Sequence, residues 1–348
     1  MELETTKNFE QRKKDHIEHC LDEQVDVSIN SFENIKLIHE ALPDLNLADI
    51  DISKTLLGKM FSSPIFISSM TAGHMDGKKL NHLFASVCQE KNWLFNVGSQ
   101  RRQLASGNSF DEWKELKQNY SQVYMCANLG LAQVITSSVE KIEEVISSID
   151  AIGLIIHLNS LQEALQIEGT PSFKGGFEKI KQLSKVLSVP VILKETGCGF
   201  SINTLIKLNN SGVSVVDVSG YGGTHWGRVE GLRAKQAGHS VLSEMSQTFS
   251  NWGVSTLEGL MSVQHLDLSY KIWASGGIRN GLDVAKCLSM GASAVGMARP
   301  FLLHAQKGKN ELLNYMNQLE QELKIALFCT GSSQIKELAG KWKWTNKN

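Results

Sequence analysis

PVILKET (190–196), VSVVDVSG (213–220), KIWASGG (271–277) and SAVGMAR (293–299) share one pattern: a short apolar run that gives way to a small or polar residue. The same pattern occurs upstream in PIFISSM (64–70), LFNVGSQ (94–100), VYMCANL (123–129) and GLIIHLN (153–159). Near-continuous hydrophobicity over a few residues suits a strand buried on both faces, as in a parallel sheet. Between most of these runs lie segments with helical spacing, among them KKLNHLFASVCQEK (78–91), SVEKIEEVISSI (138–149), FEKIKQLSKVL (177–187) and GLDVAKCLSMG (281–291). Eight strands, mostly followed by helices and about 22 to 37 residues apart, predict an α/β protein with the (β/α)8 TIM barrel fold. The gap between the sixth and seventh strands is longer, about 50 residues, and predicts an active-site excursion.

A doubly wound sheet is the rival architecture. It would usually carry GxGxxG after its first strand, and SMTAGHMDG (69–77) does not match. The 348 residues accommodate one barrel of about 250 residues with extensions. Residues 1–60 are expected to form an N-terminal extension contributing to a substrate site, 61–309 the barrel, and 310–348 a C-terminal helix and tail. The helix follows from the apolar spacing of ELLNYMNQLEQELKIALF (311–328). KWKW (341–344) reads either as a packed tail or as an oligomer contact.

Gly numbers 29 against 5 Pro, which favours tight ligand-approaching turns over Pro-rich linkers. A net charge of −1 gives no support to a nucleic-acid or membrane-surface partner, although local phosphate sites remain open. The six Cys form no CxxC pair and read mostly as small buried hydrophobes in a reducing compartment. The N-terminal KNFEQRKKDHIEH (7–19) has no apolar h-region, and no aliphatic run approaches the ~18 residues of a membrane span. The expectation is a soluble cytoplasmic protein.

In such a barrel the chemistry sits where strands end. Those ends offer Ser69-Met70-Thr71, Gly98-Ser99-Gln100-Arg101, Asn128, His157 and Asn159, Lys194-Glu195, Ser219 with Gly222-Gly223-Thr224, Ser275-Gly276-Gly277, and Ala298-Arg299. Small residues let backbone N–H groups approach a large flat ligand, and Ser, Thr and Asn add hydrogen bonds at its edge. ASGGIRNG (274–281) and MARP (297–300) follow strands seven and eight, where barrels often hold a phosphate. Arg279 and Arg299 add charge there, and Lys194 at the barrel mouth suits flavin mononucleotide. The rival readings are glycines that merely turn the chain and a structural Lys194–Glu195 salt bridge.

Two further clusters stand out. In HLNSLQEAL (157–165), Ser160 and Glu163 read as an S-x-x-E capping box, yet His157, Asn159, Gln162 and Glu163 converge at one strand end. A single carboxylate there suits Mg²⁺, which takes its other ligands from substrate phosphates and water. The basic run Arg12, Lys13, Lys14, His16 is by default a solvated helix face, but with Arg101 it could recognise a diphosphate.

In combination the motifs resemble type 2, flavin-dependent isopentenyl-diphosphate isomerase. The resemblance is carried by RKKDHI (12–17), SMTAG (69–73), VGSQR (97–101), ANLG (127–130), HLNSLQE (157–163), KETGCGF (194–200), GGTHW (222–226), SGGIRNG (275–281) and MARP (297–300). Ala72 replaces a usual second Gly, and Ile167 a frequent Pro. The resemblance implies interconversion of isopentenyl and dimethylallyl diphosphate with FMN, Mg²⁺ and NADPH, reduced flavin acting as acid/base without net redox change. It implies FMN contacts from Ser69, Met70, Thr71, Ser99, Asn128, Lys194, Ser219 and Thr224, with Gly276, Gly277, Arg279, Ala298 and Arg299 at the phosphate. It places substrate at Arg12, Lys13, Arg101, His157, Asn159 and Gln162, and Mg²⁺ at Glu163. Gln162, His157 and Glu230 are its catalytic candidates, Trp226 a wall of the pocket, and a homotetramer or homo-octamer its assembly.

The competing function is an FMN-dependent oxidoreductase on the same barrel. A hydroxy-acid oxidase would want a His base in an NHGG-like strand-six loop, whereas SGYGGTHW (219–226) puts His225 beyond the glycines. An inosine-monophosphate dehydrogenase would want a nucleophilic Cys in that region. Cys198 follows strand five instead and is expected to be structural. A non-catalytic flavin- or phosphate-binding barrel is the third reading, against which the 157–163 cluster weighs.

Overall fold

The computed structural model describes residues 6–27, 31–70, 74–105 and 110–345. Eight parallel strands close into a barrel: β1 (Ile65–Ile67), β2 (Leu94–Asn96), β3 (Met125–Gly130), β4 (Leu154–Leu158), β5 (Val191–Glu195), β6 (Val215–Asp217), β7 (Lys271–Ala274) and β8 (Ala294–Met297). Each coincides with one of the eight apolar runs, β3 passing the end of its run by one residue, Gly130. The circle closes where Val295 of β8 pairs with Ile65 of β1.

The barrel interior is layered. Phe66, Leu94, Cys126, Ile155, Ile192, Val215, Trp273 and Ala294 form an apolar cluster inside the ring. A hairpin of Lys54–Leu56 and Lys59–Phe61 closes it from below, through Leu56 and Phe61. Side chains alternate along a strand, so the residue two positions on faces the same way. Those positions hold Ser68, Asn96, Asn128, His157, Lys194, Asp217, Ser275 and Gly296. An apolar plug thus carries a polar layer at the C-terminal end of the strands, where barrel chemistry is placed.

The helices that shape this end are α1 (Thr6–Leu21), α2 (Ser160–Leu165), α3 (Trp226–Gln236), α4 (Ser240–Thr248), α5 (Gly281–Ser289), α6 (Arg299–Ala305) and α7 (Lys309–Phe328). The long gap between β6 and β7 holds α3 and α4, packed on each other, and a further helix Thr256–Ser262. Helix α3 touches both α1 and α2. Helix α7 packs on α5, and Trp342–Trp344 of KWKW pairs antiparallel with Ile35–Leu37. Among the described residues no helix is long and apolar enough to cross a membrane.

Two local expectations are corrected. Ser160 is not the cap of α2: Asn159 is, without a side-chain cap bond, because its amide donates to Gln162 Oε1 and Glu163 Oε1, both at 3.1 Å. Glu163 instead accepts the Thr170 N–H at 2.6 Å, and a reciprocal capping box forms elsewhere, between Ser255 and Glu258. The basic run is not a solvated face. Arg12, Lys13 and His16 are buried against the barrel mouth, while Lys14 stays exposed and pairs with Glu18 at 3.6 Å.

Candidate active site

Two adjoining cavities open at the polar layer. The larger, about 350 Å³, is lined by ten residues expected at the flavin: Ser69, Met70, Lys194, Ser219, Thr224, Gly276, Gly277, Arg279, Ala298 and Arg299. The smaller, about 90 Å³, is lined by Arg12, Lys13, Arg101, His157, Asn159, Gln162 and Glu163, together with Ser99 and Asn128. His16, Ser69, Met70, Lys194, Thr196 and Trp226 line both, so they form the boundary. Thr71 lies outside the described residues. Glu230 lines neither cavity and stands behind Gln162 and His16.

The large cavity fits a flat phosphorylated cofactor. Its floor is backbone: a Cβ on Gly277, whose φ is +77°, would meet Gly222 O at 2.6 Å, and one on Gly223 would meet Gly277 N at 2.8 Å. Such surfaces leave main-chain groups at the wall. Ser68 and Ser69, which line it, have buried hydroxyls without a partner. Arg279 and Arg299 reach the same wall but bond the N-terminal segment. Arg279 donates to Val27 O (2.8 Å) and Gly222 O (3.1 Å), and Arg299 donates to Cys20 O (2.9 Å) and Leu21 O (3.3 Å). The Asp26 carboxylate lies between them, at 3.6 Å from Arg279 and 3.4 Å from Arg299. No local sequence pattern announces that contact.

Lys194 is buried, and its ammonium donates to the Glu195 carbonyl (2.7 Å) and Ser219 Oγ (2.9 Å). The Glu195 carboxylate turns to the N–H groups of Thr196, Cys198 and Gly199 instead. The expected alternative, a Lys194–Glu195 salt bridge, is therefore a backbone hydrogen bond. Burial pushes the Lys194 ammonium below its usual range, against the pull of Asp217 and Glu195.

In the small cavity the hydrogen bonds fix each polar group. Asn128 Nδ2 donates to Val97 O at 3.1 Å, so its Oδ1 is the acceptor for His157 Nδ1 at 2.9 Å. His157 then carries its proton on Nδ1 and leaves Nε2 unprotonated. Burial, followed by the charges of Lys194, Lys13 and Arg101, lowers its pKa to about 3. Gln162 donates to Glu230 Oε1 at 3.0 Å while its own oxygen receives Asn159. Glu163 and Asn159 fit a hard cation. The Asn159 Oδ1 is a buried oxygen without a partner, the kind of donor a hard cation takes, while Glu163 Oε1 and Oε2 each accept one N–H, from Asn159 and Thr170, and keep their remaining lone pairs for it. Among the described residues no cluster of three His, Cys, Asp or Glu forms a complete metal cage.

Behind this wall lies a charged hub that the sequence does not announce. Glu230 Oε1 accepts both Gln162 and His16 Nε2 (2.9 Å), and Oε2 accepts Arg233 (2.7 Å). Arg233 also holds Glu168 at 3.0 Å. The edge of the His16 ring meets Trp226 at 5.0 Å between centroids. Burial opposes the charge on Glu230, but His16, Arg233 and Gln162 outweigh it and hold its carboxyl at about 2. His225, the residue a redox reading would recruit, donates from Nε2 to Trp252 O (3.0 Å) and accepts the Arg228 N–H at Nδ1 (3.3 Å). Both its nitrogens are engaged, and it lines neither cavity. Cys198 is a thiol, its pKa raised by burial to about 12.

The buried hub predicts how stability varies with pH. Burial lowers His16 to about 4, whereas an unfolded chain protonates histidine near 6.5. Between those values the unfolded state holds the extra proton, so stability falls as pH falls. His16 alone contributes a loss of roughly 3 kcal/mol over that window. Over the same window Glu195, raised to about 7, contributes with the opposite sign and His157, lowered to about 3, with the same sign, so the His16 part is read as a difference between two proteins. In urea unfolding from pH 7.5 to 4.5, wild type should lose stability relative to His16→Gln by roughly 3 kcal/mol, and a difference constant across the window would sink the buried neutral imidazole.

The comparisons agree with this geometry. The pattern described as FMN-dependent dehydrogenase matches residues 159–345, more than half of the chain. A soluble mutant of the membrane-associated (S)-mandelate dehydrogenase from Pseudomonas putida superposes with a TM-score of 0.66 at 13% identity, covering 99% of this chain and 100% of that one. A flavocytochrome b2 structure gives 0.63 at 20% identity over 90% of this chain and 77% of that one. At such identities the likeness is one of fold. The isopentenyl-diphosphate delta-isomerase of Bdellovibrio bacteriovorus is 47% identical over 97% of this chain and 98% of its own length. That of Legionella pneumophila strain Corby is 46% identical over 96% and 97%, and that of Metallosphaera sedula 39% over 94% and 90%. With a flavin-type barrel and near full-length identity of this order, the chain belongs to the type 2, FMN-dependent isopentenyl-diphosphate delta-isomerase family.

Proposed function

We propose that this protein interconverts isopentenyl diphosphate and dimethylallyl diphosphate, with FMN in the larger cavity and the substrate with Mg²⁺ in the smaller. The observation that carries the reading is the shared boundary of the two cavities at Lys194, Met70 and Trp226. Reduced FMN, with NADPH as its reductant, supplies an electron-rich acid/base face that can stabilise charge developing on an alkene. Arg12, Lys13 and Arg101 hold the diphosphate, and Glu163 with Asn159 holds the metal that neutralises it. Gln162, fixed between Asn159 and Glu230, orients the substrate in the smaller cavity. His157 presents its unprotonated Nε2 to the same cavity. Glu230 stays ionised and acts through Gln162 as an orienting carboxylate. Trp226 closes the wall, where an aromatic face favours a cation.

The test is stoichiometry. Chemically reduced, anaerobic enzyme should turn over many times without consuming NADPH, and oxidised enzyme should be inactive. One NADPH oxidised per product would instead establish an oxidoreductase.

A further inference from the structure

Asp217 belongs to neither cavity, yet it is a carboxylate 1% exposed inside the barrel. It is in register with Lys194 on the neighbouring strand β5. Its Oδ1 accepts the Ser219 N–H at 3.2 Å, and both oxygens lie 2.9 Å from Ser275 Oγ. Lys194 donates to the hydroxyl of that same Ser219. One chain of contacts therefore runs from Asp217 through Ser219 to the ammonium at the boundary of the two cavities. Ser219 and Ser275 both line the larger cavity.

A lone ammonium in a dry interior discards its proton. The carboxylates that act on Lys194 are Asp217 and Glu195. Glu195 sits on three backbone N–H groups and is raised by burial to about 7, so it is only partly charged near neutrality. Burial raises Asp217 as well, so geometry distinguishes the two: Asp217 lies in register with Lys194, accepts from the Ser219 N–H and the Ser275 hydroxyl, and shares Ser219 with the ammonium, whereas the Glu195 carboxylate is taken up by backbone N–H groups.

We propose that Asp217 is a positioning residue, the buried counter-charge that keeps the Lys194 ammonium charged and fixed between the cofactor and substrate cavities. The inference rests on the flavin reading of the larger cavity. A fixed cation beside a flavin favours its electron-rich reduced form, so Asp217 sets the flavin's redox preference without touching it.

The test is spectroelectrochemical, on the FMN-loaded enzyme. Asp217→Asn keeps the shape and one acceptor but removes the charge. It is expected to lower the preference for reduced over oxidised FMN at least tenfold, a fall of about 30 mV in midpoint potential. Lys194→Met should shift the potential in the same direction, Asp217→Glu should keep the wild-type value, and the double variant should add nothing to Lys194→Met. An Asp217→Asn potential equal to wild type, while Lys194→Met shifts it, overturns the proposal and leaves Asp217 structural. If Asp217→Asn does not fold, the pair is read in reverse. Lys194→Met strands a buried carboxylate, and adding Asp217→Asn should then restore thermal stability. A double variant no more stable than Lys194→Met overturns the pairing. If Lys194→Met itself leaves the potential unchanged, the flavin reading of Lys194 fails, and the stability comparison alone decides the pairing.

Discussion

Glu163→Gln should give a folded, yellow protein whose kcat/KM is down on the order of 10²–10³-fold, the several kcal/mol that a metal contributes by neutralising diphosphate charge. The structure sharpens what else the change touches. One carboxylate oxygen receives Asn159 and the other ties down the Thr170 N–H. A glutamine keeps one acceptor and turns an NH₂ toward the other donor, costing roughly 1–3 kcal/mol of stability. The two roles separate in the metal titration. A lost ligand raises the Mg²⁺ concentration needed for turnover and weakens diphosphate binding, while FMN binding stays at the wild-type level. Near-normal activity with an unchanged Mg²⁺ requirement would reduce Glu163 to a tie for the loop after α2.

Glu230→Gln is the second large effect, and it is felt first in stability. The wild-type carboxylate accepts from His16, Gln162 and Arg233 while only 1% exposed. An amide has one oxygen for these three donors and brings an NH₂ into contact with at least one of them. Removing one partner of a buried charged network typically costs about 3–5 kcal/mol, because the remaining charge stays buried. Here that charge is Arg233, still held by Glu168, so the lower end of the range is expected. Gln162 loses its fixed orientation, so kcat should fall with little change in flavin affinity. Urea unfolding and steady-state kinetics on the loaded enzyme check both. A variant as stable as wild type, with kcat intact, would show that Glu230 neither holds the hub nor orients Gln162.

The acidic limb of wild-type stability belongs to the same hub. With its carboxyl held at about 2 against an unfolded value near 4.5, Glu230 contributes stability above the latter that is lost as pH falls toward the former. Glu230→Gln should remove that part of the decline. Glu230 also raises His16 through its charge and hydrogen bond, so the same substitution should move the His16 part of the decline to lower pH.

The sequence by itself determined the barrel. Burial on both faces of a parallel strand leaves a local trace, an apolar run ending in small polar residues, and all eight runs became strands. Asp217 was not singled out in the sequence, where it is one residue of the apolar run VSVVDVSG, because nothing local said what it would pair with. The cavity-lining residues on strand ends were legible because each sits beside the pattern that makes its strand. Only tertiary structure decided the rest. Arg12, Lys13 and His16 read as a solvated face, since helical spacing records which residues share a side and not what covers it. Helix α1 lies over the barrel mouth and packs against α3, more than 200 positions away in the chain, and all three are buried there. The S-x-x-E at 160–163 had the spacing of a cap, but the Asn159 side chain bonds Gln162 and Glu163, and the Thr170 N–H draws the other oxygen of Glu163. A hydrogen-bonding group takes the partners that folding places nearest, and for Glu163, Glu230 and Asp26 those partners come from loops, helices and strands whose meeting no local spacing encodes.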